Sequence, residues 1–570
     1  MDASTKAEPD LIIHGGKVAT LDPSDRLAEA IAVTGERIAA VGADDEILAG
    51  AGEDTRRIDA RGRLVTPGLI DGHAHMDREG LKETLPSLAG CRSIDDILQR
   101  IADLARETPK GDWIVTMPIG EPPFYENIPG VLSDNRFPNR HDLDRVAPDH
   151  PVYIRAIWGH WRNTLPLVSI ANTNALEIAG ITRETVPPSP HIQIEKDMAT
   201  GEPTGCLYEF VYKPLVEKTL MACIPKFTLS DRIAGLRRSM EVYNSTGTTS
   251  VFEGHGIAGE VLAAYQDLRA EGPLNVRSNL MFSPAWPSVE TADVLDLLVD
   301  WGRWLAGRGL GDDYLRMAGI YTESDYSKEN SLRALCGPYT GWAGFNFDSC
   351  LPEDVMVEMM VEAARNGIRV GSFDPKILDL YEQVNRRAPM VDQRWIIEHV
   401  GIFDSDEIKR LRDLGVVLQA YSNRWIYQEG EQHRAQLGEG GASRVLPMRA
   451  LIDAGVHVSL ATDNVPPTMF DPIWHVVARR TQDGDSVLGP DQRITRMEAL
   501  AAASREGAWL SREENEKGTL EVGKLADIAI FDKDLLTVDE DEIVDIKADV
   551  TITGGRVVHG AAHCCPGKFW

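Results

Sequence analysis

The chain has 570 residues, of which 43% are hydrophobic and 26% charged, a balance typical of a soluble globular protein. Lys and Arg number 59 against 88 Asp and Glu, so the net charge is −29, and we expect neither nucleic acid nor an anionic membrane as a partner. No run approaches the roughly 20 apolar residues of a membrane span, and the amino-terminal MDASTKAEPD does not resemble a secretory signal. These features predict a cytoplasmic protein.

Short apolar runs separated by Gly and Asp open the chain and close it. LIIHGGKVAT from Leu11 and AIAVTGERIAAVG from Ala30 are typical of hairpin strands, and GTLEVGKLADIAIFDKD from Gly518 repeats the pattern. Neither end has enough strands to bury a sheet face alone. We therefore predict a small β-sandwich domain formed by both chain termini, residues 1–66 and 513–570.

Strand-like apolar runs alternate with helical patterns between these ends, over residues 67–512. Strand candidates include TSVFEG, LRMAGIY, IRVGSF, RWIIEHV, VVLQAYS and VHVSLATD, and LPEDVMVEMMVEAARNG is a helix candidate. This βα repeat predicts an α/β fold with parallel strands. A closed (β/α)8 barrel is favoured over an open sheet, although periodicity leaves both open. Residues 113–227 lack this rhythm, so we expect an insertion or lid there.

The cysteines and the glycine-rich turns carry little functional information. The seven cysteines are odd in number and sparse, which does not predict a disulfide framework. Cys564 and Cys565 adjoin near the end of the chain, but no second Cys/His pair stands at zinc-ribbon spacing, so their role stays open. GGKVAT lacks the spacing of a phosphate loop, and no nucleotide cofactor is indicated.

Two histidines, His73 and His75, follow the apolar turn TPGLID. Alternate residues of an extended strand point to the same side, so both imidazoles can bind one metal ion. The alternative is a pair of surface or core histidines. Asp463 in SLATDN and His399 in RWIIEHV also follow strand candidates, and active sites of (β/α)8 enzymes lie at the carboxyl ends of their strands. This context favours a metal site.

Five segments follow one another along the chain: TPGLIDGHAHMD, GEPTGCLYE, GTTSVFEG, IIEHVGIFDSDEIKRLRDLGVVLQAYS and LIDAGVHVSLATDN. Together they resemble the amidohydrolase superfamily, in the amidohydrolase 3 branch of N-substituted formamide deformylase-like proteins. In that resemblance they stand for the first metal motif, a substrate loop, and the third, sixth and last strands. The resemblance spans nearly the whole chain and implies a distorted (β/α)8 barrel in a metal-dependent hydrolase.

The resemblance also implies roles for four side chains. His73 and His75 would bind the buried metal, and Asp463 would bind it while taking the proton from the attacking water. His399 would bind a second metal or polarise the substrate carbonyl. The implied cofactor is a divalent metal, Zn before Mn or Fe.

Two departures from the family pattern concern a second metal. Where relatives offer a fourth-strand lysine that can become a bridging carbamate, this chain has LRMAGIY with Arg316, whose guanidinium stays protonated. Where relatives carry a fifth-strand histidine in a motif like HAIGD, it has Gly371 and Ser372. These losses favour one metal per chain over two. Candidate replacement ligands, with the first ranked highest, are His255, Glu253, Glu323 and Asp374.

The segment WGHWRNTLP supplies the candidate substrate contacts. It places His160, Trp161 and Asn163 together, just before SIANTNALEIAG, which resembles the relatives' loop that contacts substrate near the metal. His160 can donate a hydrogen bond to a carbonyl or an oxyanion, or it can be structural.

These features predict hydrolysis of a non-peptide C–N bond in a small organic amide, carbamate, imide or amidine by metal-activated water. The same metal and base would also serve an ester, a lactone or the C–C bond of a β-diketone-like substrate. The lost lysine and histidine would suit a catalytically inactive binding protein, although four converging polar groups speak against it. Acidic relatives commonly pair through barrel helices, but no isolated apolar stripe establishes a homodimer here.

Overall fold

The computed structural model describes residues 8–122, 124–157, 164–212, 214–325, 341–346, 349–483 and 486–560. The chain divides into two compact units, one of Met1–Glu79, Leu236–Glu323 and Leu351–Trp570 and the other of Gly80–Gly235 and Ser324–Cys350. Within the described ranges, no helix combines the length and the apolar character needed to span a membrane.

Eight parallel strands form one sheet in the first unit, and their order in the sheet follows their order in the chain. The sheet nearly closes into a barrel, because the amide of Gly72 after the first strand donates to Leu460 O of the last at 2.9 Å. The predicted α/β barrel is therefore confirmed. Its strands are β1 (Leu69–Asp71), β2 (Thr248–Ile257), β3 (Arg277–Phe282), β4 (Leu315–Tyr321), β5 (Val370–Ser372), β6 (Ile396–Ile397), β7 (Val417–Ala420) and β8 (His457–Leu460).

The prediction that GTTSVFEG forms the third barrel strand is wrong. GTTSVFEG lies in β2, and the third strand is RSNLMF, which pairs in parallel with both β2 and β4. Its polar residues Ser278 and Asn279 are buried but interrupt the apolar run. Strands of a parallel sheet are normally near-continuous apolar runs, so β3 gave no clear strand pattern.

Helices fill the intervals between the barrel strands. Ser405–Leu414 shows the local reasons: Asp404 and Glu407 form a capping box at its start, and Gly415 ends it with a φ of 62°. Further α-helices of the described residues are Asp44–Leu48, Met76–Glu79, Ile94–Glu107, Arg140–Asp144, Thr173–Ile178, Leu215–Lys218, Leu229–Ser245, Gly259–Glu271, Thr291–Leu305, Glu353–Arg365, Ile377–Arg387, Gly430–Leu437, Glu439–Ala442, Met448–Asp453, Phe470–Ala478, Arg496–Ala502 and Arg505–Leu510.

Strands from both ends of the chain pair in one six-stranded sheet. Leu64–Pro67 pairs in parallel with Lys17–Ala19 and antiparallel with Ile528–Phe531. A four-stranded sheet shares a hydrophobic cluster with it. Strands of both termini thus share a sheet, while the predicted β-sandwich with its bounds of 1–66 and 513–570 stays a prediction. The other strands are Leu27–Ala28, Ala548–Thr553 and Arg556–His559 in the first sheet, and Leu11–His14, Ala30–Thr34, Arg37–Gly42 and Arg56–Asp59 in the second.

The second unit contains a five-stranded sheet and its own apolar core. The core includes Ile97, Leu143 and Ile170. The predicted insertion, 113–227, lies within this unit, which begins earlier, at Gly80. A role as a lid stays a prediction. In sheet order, the strands are Ile192–Lys196, Pro203–Glu209, Leu167–Ala171, Val152–Ile154 and Ile114–Thr116.

A buried ion pair joins β3 to the carboxy-terminal part of the six-stranded sheet. Arg277 Nε and Nη2 donate to the two carboxylate oxygens of Asp527 at 2.8 and 3.1 Å. Asp527 also accepts from the amide of Gly554 at 2.8 Å. The Arg277 and Asp527 side chains are only 1% and 5% exposed, so each charge depends on the other for its solvation.

We predict that Asp527→Ala lowers the free energy of unfolding by about 3–5 kcal/mol, because the guanidinium of Arg277 would stay buried without its partner. Urea denaturation followed by tryptophan fluorescence measures the change. The double variant Arg277→Met/Asp527→Leu removes both charges and should lose much less stability. Equal losses in the single and double variants would contradict this role of the ion pair.

Candidate metal centre

Side chains that can bind a metal converge at the carboxyl ends of several barrel strands. His73 and His75 follow β1, His399 follows β6 and Asp463 follows β8. The ring centroids of His73 and His75 are 5.0 Å apart, and those of His73 and His399 are 4.7 Å apart. His255, a residue of β2, has its ring 5.3 Å from that of His73. These five sequence-predicted residues therefore lie at one end of the barrel.

The first cluster consists of His73, His75 and Asp463, which are 2%, 7% and 7% exposed. Asp463 Oδ1 lies 2.8 Å from His75 Nε2 and 3.9 Å from His73 Nε2. Burial lowers the pKa of His75 to about 3 with a further contribution from the charge of Arg78, so its imidazole is neutral at pH 7. Two imidazoles and a carboxylate form a donor set typical of zinc sites.

Asp463 stays ionised despite its burial. Burial alone would raise the pKa of this carboxyl, but the hydrogen bond with His75 and the neighbouring histidines hold the pKa below its usual range. Its backbone has a φ of 51°, in the left-handed region, as does that of His399. Such positions cost about 1–3 kcal/mol and cluster at functional sites. The tertiary structure thus fixes both side chains at the strand ends.

Asp71 links the two strand ends that carry the first cluster. Its carboxylate accepts from the amide of His73 at 3.1 Å, from the amide of Thr462 at 3.0 Å and from the Thr462 hydroxyl. The amide of Asp463 donates to His73 O at 2.9 Å. Burial raises the pKa of Asp71 to about 6. These bonds hold the segments that follow β1 and β8, and with them the candidate metal-binding side chains, in a fixed relative position.

Gln419 of β7 fixes the orientation of the His73 ring. Its side-chain oxygen lies 2.7 Å from His73 Nδ1. An amide oxygen only accepts, so in this contact Nδ1 donates its hydrogen and the lone pair of Nε2 is available to a metal. Partners of this kind orient metal-binding histidines and raise their basicity.

The second cluster adjoins the first and consists of His255, Glu398 and His399, with His73 at its edge. His255 Nδ1 lies 3.5 Å from Glu398 Oε2 and 3.3 Å from His73 Nε2. Burial, with the charges of the neighbouring histidines, lowers the pKa of His255 well below its usual range. Burial also raises the pKa of Glu398 well above its usual range. Sequence reasoning named His255 and His399 as candidate ligands and missed Glu398.

Glu253 shapes the backbone after β1. It accepts from the amides of Met76 and Asp77 at 2.9 and 3.3 Å and from the hydroxyl of Tyr265 at 2.8 Å. Its Oε2 lies 3.9 Å from His75 Nδ1, so it also belongs to a third potential metal-binding group with His75 and Asp77. Burial and the charge of Asp77 raise the pKa of Glu253 well above its usual range. These contacts suit a positioning role.

The sequence profile of the amidohydrolase family matches residues 56–559. The chain belongs to the amidohydrolase family. This amidohydrolase is a metal-dependent hydrolase that acts on C–N bonds other than peptide bonds. The match covers the eight barrel strands, the carboxy-terminal strands and, of the amino-terminal strands, Arg56–Asp59 and Leu64–Pro67, which agrees with the resemblance drawn from the motifs.

Several known proteins are similar to this amidohydrolase over most of its length. The N-substituted formamide deformylase of Arthrobacter pascens is 26% identical over 96% of this chain and 97% of its own length. A metal-dependent hydrolase from Pyrococcus horikoshii has a TM-score of 0.65 at 20% identity, covering 93% of this chain and 99% of its own. A zinc-bound adenosine deaminase from Xanthomonas campestris has a TM-score of 0.50 at 14% identity, covering 98% and 95%. The two structures show a common fold.

Two predicted replacement ligands of the amidohydrolase lie outside the three clusters. Glu323 accepts from the Tyr321 hydroxyl at 2.5 Å, and Asp374 accepts from a backbone amide two residues later. Arg316 is the second residue of β4, at the opposite end of that strand from the site, and therefore does not stand where a bridging lysine would. The predicted substrate contacts lie outside the described residues: His160, Trp161 and Asn163.

Glycine at position 254 is required for the contact between His73 and Gln419. A Cβ at Gly254 would lie 2.5 Å from His73 Nδ1 and 2.6 Å from Gln419 Oε1. We predict that Gly254→Ala separates these atoms and lowers metal affinity about 10–100-fold. Competition with a coloured chelator measures the affinity.

Gly259→Ala is the matched control for this variant. A Cβ at Gly259 would have no atom within 4 Å, so this change should leave metal affinity unchanged. Unchanged affinity in Gly254→Ala as well would contradict the role assigned to the hydrogen bond between His73 and Gln419.

Proposed function

We propose that this amidohydrolase uses metal-activated water to hydrolyse a C–N bond in a small organic amide, carbamate, imide or amidine. The observation that carries the proposal is the contact of 2.8 Å between His75 and Asp463 beside His73, at the carboxyl ends of β1 and β8. Active sites of (β/α)8 enzymes lie at this face.

The first cluster would hold the catalytic metal, with zinc ahead of manganese or iron. Its three donor atoms lie within 4.8 Å of one another, and the set of two imidazoles and one carboxylate fits such a metal. A divalent metal bound there supplies a Lewis acid that lowers the pKa of water towards about 7. The sequence favours one metal per chain because the fourth-strand lysine and fifth-strand histidine are absent.

Asp463 would act as the general base. Its carboxylate is ionised and so can accept a proton from the attacking water and return it to the leaving nitrogen. His399, whose ring lies beside that of His73, would polarise the substrate carbonyl or bind a second metal. In these roles, Asp463 and His399 would each act on an atom whose charge changes during hydrolysis.

A small acylated amine is the substrate class that the relatives support best. The relative named N-substituted formamide deformylase aligns over nearly the full length of both chains. His160, Trp161 and Asn163 would contact the substrate, a proposal that rests on the segment WGHWRNTLP alone. The partner of this protein is then a small molecule.

We predict that Asp463→Asn loses its tightly held metal and at least about 10²-fold of its activity, because both a ligand and the base are removed. Elemental analysis gives the metal per chain, and a panel of aryl amides, carbamates and esters gives the activity. Asp471→Asn is the control, since this half-buried aspartate belongs to none of the clusters. A folded wild-type protein without metal and inactive on the whole panel would instead support a binding protein.

A further inference from the structure

Tyr421 directly follows β7, at the end of the barrel that carries the candidate metal centre. The residue is 4% exposed, and its side-chain oxygen has no hydrogen-bond partner among the described residues. By contrast, the buried hydroxyl of Tyr381 donates to Ile396 O at 2.9 Å. Burying a hydroxyl without a hydrogen bond is unfavourable. The Tyr421 hydroxyl is therefore placed to serve an acceptor other than the described residues, and a bound substrate is such an acceptor.

The ring of Tyr421 lies beside the candidate catalytic residues. Its centroid is 5.5 Å from that of His399, and the two rings are nearly perpendicular. The amide of Ala461, two residues before Asp463, donates to Ala420 O at 3.2 Å, so the chain segments that leave β7 and β8 run side by side. Burial and, after it, the negative charge of Asp463 raise the pKa of Tyr421 well above its usual range. The hydroxyl therefore keeps its hydrogen at neutral pH and can donate it.

The backbone around Tyr421 is fixed by the residues that follow it. Ser422 Oγ lies 3.3 Å from Nδ1 of the buried His475. The side-chain nitrogen of Asn423 already donates to a backbone carbonyl. A π-helix runs over Asn423–Gln428, and this rare element is frequent at functional sites. The Tyr421 hydroxyl is thus a donor that is held in place before a substrate binds.

We propose that the Tyr421 hydroxyl donates a hydrogen bond to the carbonyl oxygen of the substrate. This inference rests on the proposed function, in which Asp463 takes a proton from the attacking water. When the water oxygen bonds to the carbonyl carbon, the π-electron pair moves to the carbonyl oxygen, which becomes negative. A donor fixed beside that oxygen stabilises the new charge.

Tyr421 keeps its proton throughout the reaction. When the C–N bond breaks, the electron pair on the oxygen re-forms the carbonyl, and the leaving nitrogen takes the proton held by Asp463. The hydroxyl thus acts only through its hydrogen bond, and it shares the polarisation of the carbonyl with His399. A tyrosine that served packing alone would need only its ring, so phenylalanine would replace it without loss.

Tyr421→Phe removes the hydroxyl and keeps the ring. On the best substrate of the aryl amide, carbamate and ester panel, we expect kcat to fall about 10²–10³-fold. KM and metal content should change little, because the hydrogen bond acts on charge that develops in the transition state. The melting temperature should stay the same or rise, because a buried hydroxyl without a partner among the described residues is removed.

Tyr381→Phe is the matched control. It should keep the wild-type kcat and lower the melting temperature, because its hydroxyl donates to the backbone of β6. A wild-type kcat in Tyr421→Phe overturns the inference and leaves the proposed function standing. A lower melting temperature in Tyr421→Phe also overturns it, because the hydroxyl would then have a structural partner. A wild-type protein that is inactive on the whole panel contradicts the proposed function, and the inference with it.

A change in the substrate tests the contact with the carbonyl oxygen itself. Wild type and Tyr421→Phe are compared on one substrate and on its thiocarbonyl analogue, in which sulfur, a weaker hydrogen-bond acceptor, replaces the oxygen. The loss of kcat caused by Tyr421→Phe should be at least about 10-fold smaller with the thiocarbonyl substrate, because the hydroxyl and this atom interact directly. An equal loss with both substrates overturns the proposal.

Discussion

The contact between His75 and Asp463 organises the rest of the site. The first and last strands of the barrel meet there, and a carboxylate oxygen lies 2.8 Å from an imidazole nitrogen in a buried environment. A carboxylate removed from water needs cationic or hydrogen-bonding partners. Asp71 ties the same two strand ends by accepting from both. The contacts that close the barrel therefore also bring the candidate metal-binding side chains together.

Three glycines in or directly after barrel strands leave the space that this arrangement needs. A Cβ at Gly72 would meet a β8 side chain at 2.3 Å, one at Gly254 would meet His73 at 2.5 Å, and one at Gly371 would meet Glu398 at 2.7 Å. Glycine within a strand costs about 0.5–1 kcal/mol relative to alanine. These glycines lower the stability of the strands, but they allow the backbone and the polar side chains to approach closely.

Local patterns in the sequence predicted part of the fold and part of the site. His73, His75 and Asp463 could be predicted because each stands directly after an apolar strand segment. Glu398 could not, because its neighbours come from distant strands and the space around it depends on a glycine of β5. The βα repeat predicted the barrel, but β3 was not recognised because buried polar residues interrupt its apolar run. The mostly antiparallel sheet of the second unit gave no such repeat.

The central claim is that one metal binds between His73, His75 and Asp463. Anomalous diffraction at the zinc absorption edge, from crystals of the zinc-loaded protein, tests it most directly. We predict a strong anomalous peak within bonding distance of His73 Nε2, His75 and a carboxylate oxygen of Asp463, about 2.0–2.2 Å from each. A zinc-loaded crystal with no peak at these three side chains would contradict the account.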